Sequence, residues 1–183
     1  VFGVARESRL SVDTGSALTP GQLLGLLGEA TPERLANAAR LLFLFDKFGK
    51  IPTDRLLFPT KQDIQRTVEQ NDGLEDSVKA VGHRTIGAAS CGVMAFCHYL
   101  FSPLDLDAAD KFFTDLRDVI ARNSDLPKLD PVFVLARRLM TDAGRGETEQ
   151  RVAKLFFEAW NLRRSGRTQL KIQLTTNDLP ALE

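Results

Sequence analysis

A chain of 183 residues, 43% hydrophobic and 26% charged, has the size and composition of one folded domain. Lys and Arg balance Asp and Glu at 24 each, so no global field draws the chain toward nucleic acid or an anionic membrane. No apolar run approaches the roughly 18 residues of a membrane span and no signal peptide is visible, which argues against a membrane partner.

In chain order, Val1-Phe-Gly-Val4 is a strand candidate, and Ser11 to Ser16 is turn chemistry. Residues 1–18 therefore read as a connecting strand and turn. Thr19-Pro20 is a helix start, an N-cap with proline at the first helical position, and Gly28 closes that short helix. Thr31-Pro32 repeats the signal and opens a helix with a wide apolar face, Leu35, Ala38, Ala39, Leu42 and Phe43, ending at Gly49. Pro52 and Pro59 bracket a loop. Thr60 followed by Asp63 is close to a capping box and predicts a helix to about Asn71. Gly73 to Val81 is a further short helix.

Gly82 to Thr85 is a break. The almost uncharged run from Ile86 to Phe101 predicts a helix buried on most of its circumference, at the centre of the fold. Asp107 is read as the cap of the next helix, with Phe112, Phe113, Leu116 and Ile120 inside. Asp130-Pro131 is the clearest start signal in the chain. Ala143 to Gly146 is a flexible break. Glu147 to Ser165 predicts the last long helix, with Trp160 inside and Gly166 at its C-terminal stop. Gln169 to Leu174 alternates polar and apolar residues and reads as a short strand. The sum is an all-α fold: a compact orthogonal bundle of about seven or eight helices in a single domain over 1–183, with short strand candidates at either end.

Cys91 and Cys97 are the only cysteines. Six residues apart on a helix they face different sides and cannot bridge, so they read as buried free thiols of a reducing, cytoplasmic compartment. His83 and His98 are the only histidines, and no metal-ligand spacing accompanies them. No cofactor or metal is expected. An enzyme acting through Cys97 and His98 would need the pair folded together in a cleft. Gly144-Arg-Gly146 lacks the Lys-Ser/Thr of a phosphate loop and reads as a helix break. Asp105, Asp107 and Asp110 are explained by capping and solvation.

One electrostatic asymmetry stands out. From Pro131 to Lys171 there are nine Lys/Arg against four Asp/Glu. Arg137, Arg138, Arg163, Arg164, Arg167 and Lys171 would share a face if the last two helices pack antiparallel, and such a face neutralises phosphates without reading bases. The competing reading is a solvated face. Trp160 reads as a core anchor before it reads as a stacking platform for bases.

Three segments resemble one family. They are Val12-Asp13-Thr14-Gly15 with the following Leu-rich helix and Leu35-Ala36-Asn37-Ala38-Ala39; Pro59-Thr60 with Glu69-Gln70-Asn71, Gly73-Leu74 and Ser77-Val78; and Phe112-Phe113, Asp130-Pro131, Leu135, Arg138-Leu139, Ala159-Trp160-Asn161 and Gly166-Arg167. Together they resemble the helical C-terminal region of phage- and plasmid-type bacterial proteins that carry an N-terminal ParB/sulfiredoxin-like domain. The family's G-Q-H-R-type motif has no counterpart here, and Glu158 stands where a lysine is expected before Ala-Trp-Asn. The resemblance implies a non-catalytic helical module, the C-terminal part of a longer protein. Any nucleotide or nuclease chemistry would belong to a domain outside this chain. Its role would be weak, sequence-indifferent DNA contact, or association with a second copy or with its own N-terminal domain. The other readings are a small intracellular enzyme using Cys97 and His98, and a pure protein–protein scaffold.

Overall fold

The structure is a computed structural model that describes residues 32–168 and 178–183. Among these are seven α-helices and no strand: α1 (Pro32–Phe48), α2 (Lys61–Glu69), α3 (Gly73–Val81), α4 (Cys91–Phe101), α5 (Leu106–Ile120), α6 (Pro131–Asp142) and α7 (Glu149–Arg164). The fold is an all-α helical bundle. The expected terminal strands, the helix after Thr19 and residue Lys171 lie outside the described residues.

The helix boundaries follow from local chemistry. Thr60 and Asp63 form a full capping box at the start of α2: the Thr60 hydroxyl accepts from the Asp63 N–H, and Asp63 accepts from the Thr60 N–H at 3.0 Å. Asp130 accepts from the Val132 N–H at 2.8 Å with Pro131 at the first position of α6. At the end of α7, Gly166 takes φ +67°, its N–H reaches the Arg163 carbonyl, and the Arg167 N–H reaches back to Leu162 at 3.0 Å. These two bonds satisfy carbonyls that the helix end would otherwise leave unpaired.

Three boundaries differ from the sequence expectation. Helix α4 begins at Cys91 behind an N-cap at Ser90, which accepts from the Val93 N–H, and not at Ile86. The stretch before it is apolar but folds as a tight turn. Ile86 and Ala89 exchange both backbone bonds at 2.9 Å, and the Ala88 N–H donates to the Leu139 carbonyl of α6 at 3.0 Å. Lack of charge signals burial, and a buried turn meets that condition as well as a helix does. Helix α5 is capped by Asp105 rather than Asp107, because Asp105 is the residue in extended backbone whose carboxylate reaches the Ala108 N–H at 3.0 Å. Helix α7 starts behind Thr148, two residues later than expected.

Helix α4 is the centre, as its composition implied. It packs against α1, α3, α5 and α7, and α6 lies against α5 and α7. Nine of its residues are buried, including Cys97 and His98. Phe101 stacks on Trp160 at 4.4 Å between centroids and meets Phe112, Phe113 and Phe157. Phe96 meets Phe45 edge-on at 5.5 Å and stacks on Phe157. Aromatic rings from α1, α4, α5 and α7 thus form one continuous cluster, which adds geometric specificity to plain apolar burial. Gly92 lets α1 come close: a Cβ there would sit 3.0 Å from the Cβ of Asn37.

Candidate functional site

The bundle packs α6 against α7, the helices that carry Arg137, Arg138, Arg163 and Arg164. It then turns three of them onto carboxylates of the same domain. Arg138 donates to Asp142 at 2.7 Å, and Arg145 closes on the other oxygen of that buried carboxylate at 3.2 Å. Arg163 donates to Asp115 and stands 3.7 Å from Asp130. Arg164 donates to Asp105 at 2.7 Å, with its guanidinium 5.4 Å from the centre of the Trp160 ring. Arg167 is exposed and donates to the Ser165 hydroxyl. Arg137 is exposed on α6.

These pairings set the electrostatics. The Ala108 N–H and the Arg164 guanidinium together hold the Asp105 carboxyl below its ordinary value of 3.8. Asp115 also takes Lys111 at 3.1 Å, so it is shared between α5 and α7. A phosphate that approached Arg163 or Arg164 would have to displace an aspartate already in place. Glu158 pairs with Lys154 one turn earlier, at 3.6 Å, and Lys154 is itself buried. That side of α7 therefore carries a charge pair in which the acid offsets a lysine.

Around His98, sequence reasoning missed an arrangement. Its Nδ1 lies 2.9 Å from the Ser77 hydroxyl of α3, and its Nε2 lies 2.9 Å from Asp110 of α5. Ser102, one turn on, approaches Nδ1 at 3.2 Å while donating to the His98 carbonyl. The residue types are those of a nucleophilic relay. Ser77 is only 2% exposed, however, so its oxygen lies inside the packing. What the arrangement does is tie three helices through one imidazole. The sequence held the parts, but Ser77 and Asp110 are 21 and 12 residues from His98, and only the helix packing joins them.

Cys97 is fully buried, and burial pushes its thiol well above the ordinary range. Burial also raises Cys91, partly opposed by Arg34. Burial thus disfavours the thiolate, which is the reactive form, at both positions. Both cysteines should therefore be inert to a thiol reagent such as DTNB in native buffer at pH 8 and react only on unfolding. Rapid native labelling of Cys97 would contradict this packing. Among the described residues, no group of three or more His, Cys, Asp or Glu is placed to hold a metal ion.

One surface feature goes beyond the loop expected between Pro52 and Pro59. Asp54 caps a single 3₁₀ turn, Arg55–Leu57, by accepting from the Leu56 N–H at 3.0 Å. The turn presents Leu56 at 91% exposure, with Leu57 and Phe58 beside it at 39% and 36%. Arg40 of α1 lies over the Phe58 ring at 5.2 Å and is itself held by Glu149. The readable signal was three consecutive apolar residues, Leu-Leu-Phe, inside an otherwise polar loop.

No protein-family model, no curated protein and no solved structure matches this chain.

Proposed function

We propose that this chain is a non-catalytic helical binding module, of the kind its resemblance to ParB/sulfiredoxin-like phage and plasmid proteins implies, and that it works by association with a second copy of itself. The exposed Leu56-Leu57-Phe58 turn carries the reading. A leucine left 91% exposed on a capped turn gains nothing for the monomer, whereas apolar residues gathered on one exposed element mark contact surfaces. Self-association would cover them. Light scattering across a concentration series tests it. The Leu56→Asp variant is expected to weaken association about tenfold or more, the effect of losing one interface hot spot. Melting should change little, since Leu56 touches no core. Wild-type protein that stays monomeric at high concentration would sink the reading.

A second reading, weak DNA contact, is supported by the exposed Arg137 and Arg167. With Arg138, Arg163 and Arg164 committed to aspartates, about two phosphate contacts are expected from the described residues. That corresponds to a log–log salt slope near about −1.8 on duplex DNA, where four contacts would give about −3.6. The Arg137→Ala/Arg167→Ala variant should abolish the slope, and the Arg163→Ala/Arg164→Ala variant should leave it nearly unchanged. Binding lost in the second variant and kept in the first would reverse this assignment.

A further inference from the structure

The turn that exposes Leu56 is held from its two ends, and both ends are tied to the first turn of α7. At the near end Ile51 is buried, and its N–H donates to the Gln150 side chain at 2.8 Å. At the far end the Phe58 ring lies under the Arg40 guanidinium, with 5.2 Å from Cζ to the ring centre. That guanidinium is fixed in its turn. Nη1 donates to one Glu149 oxygen at 3.0 Å and Nη2 donates to the other. Asn37, one turn earlier on α1, accepts from Nη2 at 3.1 Å. Glu149 is the first residue of α7, a place where a carboxylate suits the helix dipole. Between the two ends, residues 53–57 are all exposed. Leu56 contributes no packing, so the order of the turn comes from the Asp54 cap and from these anchors.

We propose, resting on the self-association reading above, that Arg40 is the positioning residue of that site: clasped by Glu149, it holds the Leu56–Phe58 turn in the form that meets a second copy. The Arg40 side chain is only 16% exposed, so it offers a partner little surface of its own. What it supplies is order. A loop already fixed before contact avoids the conformational entropy that a loose one loses on binding. The two-pronged bond to one carboxylate fixes the plane of the guanidinium, which a single ammonium could not do. The flat cation then lies over the Phe58 ring, and that attraction strengthens as the cation loses water. A pair that served only the fold would show itself in the melting of the whole bundle. A pair that positions the turn shows itself in the turn and in association.

The test uses the full chain and two readouts, association by light scattering across a concentration series and hydrogen exchange at the Leu56, Leu57 and Phe58 amides. Leu56 donates to the Asp54 side chain, Leu57 to the Asp54 carbonyl and Phe58 to the Arg55 carbonyl, so their exchange reports the order of the turn itself. Arg40→Met keeps the apolar stem and removes the guanidinium. It should weaken association about tenfold and speed exchange at the three amides about tenfold, while the α4 amides keep their protection. Arg40→Lys keeps a cation near Phe58 without the fork and should fall between. Should Arg40→Met fail to fold, Glu149→Gln replaces it, releasing the guanidinium with Arg40 still in place, and should shift both readouts the same way by a smaller factor. Association lost with no change at the turn amides overturns the proposal, because Arg40 would then be a contact and not a support. Wild type that associates, with Arg40→Met matching it, removes the positioning role alone. Wild type that stays monomeric removes the self-association reading and this role with it.

Discussion

Replacing Gly87 with alanine is expected to destabilise the protein by about 2–5 kcal/mol, measured as a fall in the urea midpoint at constant slope. The side chain has no place to go. A Cβ at this position would lie 2.3 Å from the Leu139 carbonyl oxygen and 2.6 Å from its carbon, both backbone atoms of α6. Gly87 also takes φ +55°, a left-handed conformation that costs other residues about 1–2 kcal/mol. The clash adds the cost of overpacking, about 1–3 kcal/mol, because helix backbone yields less than a side chain. Relief would pull Ala88 away and break its bond to Leu139. Gly82→Ala supplies the control. Gly82 has φ +82° and ψ −171°, a region open essentially to glycine, with nothing within 4 Å of the new Cβ, so only the conformational cost of about 1–3 kcal/mol applies. Equal losses at the two glycines would mean that the Ile86–Ala89 turn does not sit on α6 as described.

Phe101→Ala is expected to cost about 3–5 kcal/mol, the range for deleting a fully buried aromatic ring. Phe101 is 0% exposed, and its ring contacts four others drawn from α5 and α7. It stands at the last residue of α4, where three helices would have to move together to close the cavity. Collapse is therefore poor and the loss falls at the upper end. Phe101→Leu keeps most of the volume and should cost well under half as much. A loss below about 1 kcal/mol for the alanine variant would place Phe101 outside the core.

Two helix starts were legible in the sequence because each carries its own chemistry. Thr60 with Asp63 and Asp130 with Pro131 name their helix ends within a few residues, without reference to the rest of the fold. The centrality of α4 was legible from its missing charges. The turn at Ile86–Ala89 was not, since burial in a turn and burial in a helix leave the same apolar run, and the deciding contact comes from Leu139, some fifty residues away. The basic face shows the same limit from the other side. Arg138–Asp142 is a one-turn spacing that can be read from sequence. The partners of Arg163 and Arg164 are 48 and 59 residues distant, and nothing local marks Asp115 or Asp105 as their counter-ions. A count of nine cations against four anions over one stretch overstates the free charge when the anions arrive from another helix. Ser77, His98 and Asp110 were hidden for the same reason.

Trp160 gives the molecule a built-in optical gauge. It is the only tryptophan, one face of its indole stacks on Phe101, and its N–H points at the Glu183 carbonyl. Emission from a single indole has no competing background. Loss of the whole fold would expose the ring to water and move its emission strongly to the red. Release of the 178–183 segment alone would free the N–H while the stack on Phe101 persists, giving a smaller change in intensity with little shift in colour. The same unlabelled fluorophore thus separates local detachment from global unfolding in one spectrum.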